Sequence, residues 1–244
     1  TKAGIFKPES NVVMAAQTAE VAKVLMAQVA KVSAIPFREG IEFAVKKRSL
    51  AVGGQLISLQ GLHGDIEDIF LPLYGDHQAN NAVLALAAVE AFTNVAIDQE
   101  LVRDAFSKVT SPGRCEIVYK DPTVIIDAAH NPHGSLALLE TITSEFTFDE
   151  IIGVIGVMAD KDARGILENF EKFMDSIIVT KNSSHRAMEV TDLELLAIEV
   201  FGADRVFSAE NLDVALEKAI KDAVRPLSDD TLGIIVTGSV VTVG

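Results

Sequence analysis

The chain has 244 residues, a formal net charge of -14 and a single cysteine, and these values exclude several classes of protein. An acidic chain lacks a broad surface for nucleic acid, a single cysteine cannot form an internal disulfide, and no apolar run reaches the ~18 residues of a membrane helix. We therefore expect a cytoplasmic protein, with two modest domains or one large domain with a lobe, that binds neither nucleic acid nor a membrane.

The first part of the chain predicts helices and an antiparallel meander. A short apolar strand is predicted over 12–16, and Thr18 is placed to cap the helix that follows. From Ile41 to Leu73 the hydrophobic period changes to two, and the strands are separated by glycine turns at 53–54 and 61–64. This pattern is typical of an antiparallel meander.

The segment Gly75–Phe92 carries a strong helix signal, with Asn81 near its amino end. A second, shorter helix is predicted over 101–109. The residues expected to share the buried face of the first helix are Ala82, Ala85, Leu86, Val89 and Phe92.

The sequence Thr-Ser-Pro-Gly-Arg at 110–114 predicts a domain boundary, so the proposed domains are 1–110 and 111–244. After it, strands and helices alternate. The predicted strands are 117–119, 123–127, 151–157, 176–180, 205–207 and 232–237, and the predicted helices are 132–146, 162–173, 192–201 and 212–224. Continuous apolar strands between amphipathic helices indicate an α/β fold, here a Rossmann-like domain with a mostly parallel sheet covered on both faces.

The segment Val124–Gly134, with the sequence VIIDAAHNPHG, is the clearest candidate for a functional turn. It predicts a buried strand ending at Asp127, a sharp turn, and a helix with Asn131 as its N-cap and a proline as its first residue. Asp127, His130 and Asn131 would lie where open parallel sheets bind ligands, and the positive helix end would favour an ionised Asp127. An ordinary strand-to-helix turn with Asn131 as a cap fits the same residues.

Several common motifs of nucleotide-binding and hydrolytic sites are missing from the sequence. There is no GxxxxGK[ST] loop, no GxGxxG fingerprint, no Cys/His spacing typical of zinc and no Gly-x-Ser-x-Gly turn. Cys115 is expected to be a small buried residue, because no base flanks it in the sequence.

Polar clusters instead follow four predicted strand ends in residues 111–244, which suggests a binding face. Taken singly, each has a plainer interpretation, such as helix capping by an aspartate or an ordinary solvated loop. The clusters are Asp127, His130 and Asn131; Asp160, Lys161 and Asp162; Lys181, Asn182, Ser183, His185 and Arg186; and Thr237 and Ser239, with Arg114 at the domain boundary.

A series of segments resembles, in order, the motifs of folylpolyglutamate synthase and dihydrofolate synthase in the Mur ligase superfamily. DAAHNPHG resembles the DGAHNP signature of that family, and SPGRCE resembles its PGR-x-E hinge. The remaining matches are KAGIFKP to KAGI-x-KP, GDHQANN to G-x-H-Q-x-x-N, MADKD to DKD, SSHRA to R-A, and TGSVVTVG to TGS-x-x-x-VG.

The resemblance implies an ATP-dependent amide ligase that phosphorylates a carboxylate of dihydropteroate or a folate and then joins L-glutamate to it. We expect a monomer that uses ATP and Mg²⁺. The residues that the resemblance assigns are Asp127 and His130 as catalytic groups; Asn81, Arg114 and Asp127 as ATP contacts; Asn131, Lys161, Arg186 and Ser239 as glutamate or phosphate contacts; and Lys2 as a carbamate that supports the magnesium site. An arginine and a metal at a transferring phosphoryl group would neutralise its charge.

Two departures from the family pattern qualify this interpretation. The second residue of the signature is Ala128 in place of glycine, so this position should not need a positive φ. The phosphate loop and most magnesium ligands of the family lie upstream of KAGI, so we expect a fragment containing the rear of the ATP-binding domain and the C-terminal domain.

Two alternatives remain open at this point. One is a non-catalytic module that binds a nucleotide or an amino acid on the same fold. The other is a murein peptide ligase, although GDHQ in place of GxHN, together with DAAHNP, argues against it.

Overall fold

The computed structural model describes residues 2–223 and 231–243, and the chain divides into two compact units between Thr110 and Ser111. None of the helices in these residues combines the length and apolar character that a membrane crossing requires.

The first unit contains a two-stranded parallel sheet, a three-stranded antiparallel sheet and three α-helices. In chain order its elements are a 3₁₀ turn (Lys2–Ile5), β1 (Asn11–Met14), α1 (Ala19–Val32), β2 (Ile35–Arg38), β3 (Ala44–Ala51), β4 (Gly54–Gln60), β5 (Asp65–Leu71), α2 (Asp76–Thr93) and α3 (Gln99–Ser107). The predicted meander is confirmed as β3-β4-β5.

Some local predictions for this unit were incomplete. Thr18 occupies the N-cap position of α1, but its side chain makes no capping hydrogen bond. Helix α3 begins earlier than predicted because the side chain of Asp98 accepts the N–H of Leu101. Strand β2 was not predicted: it contains Pro36 and is defined by its parallel pairing with β1.

The predicted buried face of α2 was wrong in part. Ala82 and Leu86 are buried, but Ala85, Val89 and Phe92 are exposed, Phe92 by 89%. The helix is apolar around most of its circumference. The hydrophobic period in its sequence therefore does not identify a single buried face. Contact with the meander decides which side is buried, and the cluster that results contains Phe43, Ile57, Leu59, Ile69, Ala79, Val83 and Ala87.

The second unit is a six-stranded α/β sheet in the order β10-β9-β8-β11-β7-β6. All neighbouring strands are parallel except the edge strand β6, which pairs antiparallel with β7. Its elements are β6 (Glu116–Lys120), β7 (Thr123–Ile126), α4 (Pro132–Glu145), β8 (Glu150–Ile155), α5 (Ala163–Phe170), β9 (Ser176–Val179), α6 (Val190–Phe201), β10 (Val206–Ser208), α7 (Leu212–Ala223), β11 (Leu232–Thr237) and α8 (Val240–Val243). The mostly parallel α/β fold is therefore confirmed, with element ends shifted by a few residues; Val224, the predicted last residue of α7, lies outside the described residues.

Both faces of this sheet are buried. Helix α7 packs Ala215 and Ala219 against one face, which includes Val154 and Val236. Residues that alternate with these along the strands, such as Ile155 and Ile235, are fully buried on the opposite face. Helix α5 packs against both α4 and α6, so these three helices form one layer. This layer covers the second face of the sheet.

Candidate functional site

The carboxyl ends of four parallel strands lie side by side at one edge of the second unit. Strands β9, β8, β11 and β7 are hydrogen-bonded neighbours in that order. The polar residues that follow these strands therefore occupy adjacent loops, at the edge where open α/β sheets bind their ligands.

Asp127 follows β7 as a buried carboxylate that holds its turn together. Its Oδ2 accepts the N–H of Cys115 at 2.9 Å, and its Oδ1 accepts the N–H of Ala129 at 2.8 Å. Burial raises the pKa of this carboxyl, although the two backbone N–H groups and the charges of Arg114 and His130 oppose the shift. Loss of hydration therefore outweighs the favourable contacts of the carboxylate. The expected ionised state of Asp127 stays a prediction. The thiol of Cys115 is buried as expected, and burial also raises its pKa.

The next residues of this turn arrange the start of α4. The Nδ1 atom of half-buried His130 lies 2.9 Å from the carbonyl oxygen of Ala128. Asn131 is the N-cap of α4, as predicted, and its Oδ1 accepts the N–H of Gly134 at 2.8 Å. The capping interpretation therefore accounts for the side chain of Asn131, and its role as a glutamate or phosphate contact remains a prediction.

Asp160 joins two of the predicted ligand contacts. Its Oδ2 lies 2.9 Å from a terminal guanidinium nitrogen of Arg186 and 3.5 Å from the Nζ of Lys161. Burial opposes ionisation of Asp160, but the charges of Arg186 and Lys161 outweigh it and hold its pKa below the ordinary value. The loops after β8 and β9 thus present a small cluster with two cations and one anion. Asp162, by contrast, is a helix cap that accepts the N–H of Gly165.

Ser239 lies in a buried network that fills its hydrogen-bonding capacity. Its hydroxyl accepts the N–H of Thr242 at 3.0 Å and the side-chain amide of Asn182 at 3.2 Å. Because Thr242 Oγ1 lies 2.7 Å from the carbonyl of Gly156 and donates to it, the proton of Ser239 is directed to Thr242 Oγ1 at 2.8 Å. A hydroxyl has one donor and two acceptor positions, so a ligand must displace one of these partners.

We expect Asn182→Ala to lower the free energy of unfolding by about 1–3 kcal/mol, because it removes a buried donor from this network and leaves its partners unsatisfied. Ser183→Ala is the matched control, since Ser183 is exposed and adjacent in sequence. Urea denaturation of both variants measures the difference. Equal stabilities would show that the network contributes nothing to the fold.

The other predicted site residues lie on other elements of the two units. Arg114 is an exposed side chain of the second unit, and its charge acts on Asp127. Asn81 lies in the first unit, where its amide donates to Oε1 of Gln78 at 3.3 Å near the start of α2. The side chain of Lys2 lies outside the described residues. In the described ranges, no group of three His, Cys, Asp or Glu side chains could hold a metal ion.

Three residues that organise the site were given no specific role from the sequence: Asp160 and Asn182 belonged to the predicted polar clusters, and Thr242 was not among them. Asp160 precedes Lys161, and its charge was a usable signal, although helix capping explained it equally well. The position of Asn182 after a predicted strand marked it as a candidate, but not its contacts with Ser239 and Thr242, which lie about 60 residues further along the chain. The serine at 239 was itself the available sign of a cap on α8, because serine is a preferred N-cap residue and its hydroxyl accepts the N–H of Thr242.

Comparison with known proteins identifies similar sequences. Residues 113–240 match the family described as "Mur ligase, glutamate ligase domain". The whole chain is 47% identical to a dihydrofolate synthase/folylpolyglutamate synthase of Mycobacterium tuberculosis, of which it covers 53%. It is 31% identical, over 79% of its own length, to the Bacillus subtilis protein of that name and covers 45% of it.

Solved structures show the same likeness. A Mycobacterium tuberculosis folylpolyglutamate synthase complexed with ADP and AMPPCP aligns with a TM-score of 0.90 and 50% identity, over 96% of this chain and 53% of the other. Escherichia coli FolC in complex with DHPP and ADP aligns with a TM-score of 0.81 and 26% identity, over 99% of this chain and 53% of the other. The chain therefore spans about half the length of the relatives that it matches.

Proposed function

Because this chain belongs to the Mur ligase family, we propose that it is part of an ATP-dependent ligase that joins L-glutamate to a folate or to dihydropteroate. The observation that carries the proposal is the strand-end edge. The turn of Asp127 and His130 after β7 shares this edge with the loops of Lys161 and Arg186 after β8 and β9, and β11 lies between β7 and β8. We propose further that the protein is a cytoplasmic monomer without nucleic-acid or membrane partners.

The charge pattern of the edge suits the proposed substrates. L-Glutamate brings two carboxylates and an ammonium group, and an acyl phosphate brings further negative charge. Lys161 and Arg186 can donate hydrogen bonds to carboxylate or phosphate oxygens. Asp160 orients these two cations and neutralises part of their charge. The amino end of α4, next to His130, favours negative charge in the same region.

The nucleotide part of the proposal follows from the resemblance, and the ADP complexes of the similar structures support it. Asn81, Arg114 and Asp127 are the proposed ATP contacts. Mg²⁺, with Lys2 as a carbamate, belongs to the same proposal. The described residues offer no cluster of metal ligands, so we assign no step to the metal.

A non-catalytic binding module is the second candidate, and one observation favours it for these residues taken alone. The 244-residue sequence contains no GxxxxGK[ST] loop, and this loop supplies much of the charge stabilisation in phosphoryl transfer by phosphate-loop enzymes. We therefore expect residues 1–244 in isolation to show no ATP turnover.

The test is a ligation assay with the complete gene product that contains residues 1–244. With ATP, magnesium and L-glutamate, it should extend dihydropteroate or a folate by one glutamate. An ¹⁸O-labelled substrate carboxylate should deliver its label to the released phosphate, as an acyl phosphate requires. No product with any of these acceptors would refute the ligase, and product without label transfer would refute the acyl phosphate.

A further inference from the structure

The backbone contact of His130 decides which of its ring nitrogens carries the proton. Nδ1 lies 2.9 Å from the carbonyl oxygen of Ala128, and a carbonyl oxygen can only accept a hydrogen bond. Nδ1 is therefore the donor. In the neutral ring, the lone pair then lies on Nε2.

Asp127 does not set this orientation through a hydrogen bond. Its two oxygens accept the N–H groups of Cys115 and Ala129, and it acts on His130 only by charge. Nε2 of the half-buried ring has no hydrogen-bond partner within residues 2–223 and 231–243. In the neutral ring, Nε2 of His130 is thus an unoccupied hydrogen-bond acceptor at the edge of the site.

An acceptor at Nε2 distinguishes between the two groups that would meet there. Phosphate oxygens at neutral pH are mostly deprotonated and accept hydrogen bonds. They would therefore bind to an imidazolium or to the backbone N–H groups of α4. An amine has N–H bonds to donate. We propose, resting on the ligase function above, that Nε2 of His130 accepts a proton from the amino group of the incoming amino acid.

The step balances as follows. The ammonium group transfers one proton to Nε2, which leaves a neutral amine and an imidazolium. The nitrogen lone pair then forms a bond to the acyl carbon, and the bond from that carbon to the phosphate oxygen breaks, with its electron pair leaving on phosphate. The nitrogen loses its second proton to water, and Nε2 returns the first proton to solvent.

The tautomer can be measured on residues 1–244 without any activity. Long-range ¹H–¹⁵N correlations of the imidazole rings should show the neutral His130 ring protonated at Nδ1 and unprotonated at Nε2. A His130→Gln variant assigns the signals. Protonation at Nε2 in the neutral ring would overturn the proposal.

The chemical role is tested in the complete gene product. His130→Ala should lower kcat by about 10²–10⁴-fold, the usual effect of losing a positioned general base, and change the KM for ATP little. Added imidazole should restore part of that rate in His130→Ala. His130→Gln, which places an amide near the position of Nε2 but cannot take up a proton, should remain slow without misfolding.

His133→Ala is the matched control, because His133 is exposed on α4 three residues further along. It should ligate at the wild-type rate with and without imidazole. Wild-type kcat in His130→Gln, or no rescue of a folded His130→Ala, would refute the proton transfer while leaving the ligase function intact. A wild-type protein that ligates nothing would instead refute the proposed function. The proposed proton transfer from the amine to His130 would then be refuted as well.

Discussion

Gly238→Ala is expected to lower the free energy of unfolding of the second unit by about 2–5 kcal/mol. Gly238 follows β11 with a φ of +109°, a conformation that L-residues rarely adopt. A Cβ at this position would lie 2.7 Å from the carbonyl oxygen of Gly156 and 3.0 Å from its carbonyl carbon. Both are backbone atoms at the end of β8. Relieving the clash therefore requires β8 and β11, which carry the site, to shift relative to each other.

The measurement is hydrogen exchange of the β8 and β11 amides, combined with urea denaturation of residues 1–244. Gly134→Ala is the control, because a Cβ there would meet Ala129 at an ordinary contact distance of 3.5 Å. Alanine in α4 should leave stability unchanged or raise it by up to about 1 kcal/mol. If both variants changed stability equally, the close approach of the strand ends would not be the cause.

Asp127→Ala is expected to lower the free energy of unfolding by about 2–6 kcal/mol. It leaves the N–H groups of Cys115 and Ala129 without their acceptor in a buried turn, at about 1–3 kcal/mol each. From sequence alone, a substitution at this polar residue would be expected to spare the fold. Asp127→Asn should be intermediate, since it retains one acceptor oxygen. Thermal and urea denaturation must therefore accompany any rate measured for an Asp127 variant, and unchanged melts in Asp127→Ala would refute this structural role.

The pH dependence of stability provides a second test of Asp127. Because its pKa is raised in the folded state, the folded protein holds more protons than the unfolded chain between the ordinary pKa of about 3.9 and the folded value. Stability should therefore fall as pH rises through this window, and level off above it. Asp127→Asn should remove this fall relative to wild type. A wild-type curve that rises more steeply than that of Asp127→Asn would contradict the raised pKa.

Local chemistry was sufficient to predict much of the second unit and one part of its site. Continuous apolar strands alternating with amphipathic helices specified a parallel sheet with both faces covered, because each element must bury its apolar side. Asn131 and Pro132 specified the start of α4, because capping depends on residues only a few positions apart. The strand order was not predictable in this way, since β11 lies between β7 and β8 although it follows them by many residues.

Only the tertiary structure decided what the polar side chains contact. Asp127 meets the backbone of Cys115, twelve residues earlier, and Arg186 meets Asp160 across two loops. Ser239 is saturated by partners that include Asn182 on a different strand end, which no pattern around residue 239 could indicate. The buried side of α2 was likewise set by the meander it packs against, since its own sequence is apolar on most sides. Hydrogen bonds and packing between distant segments have no period in the sequence, so the candidate residues could be found from the chain alone but their roles depended on the fold.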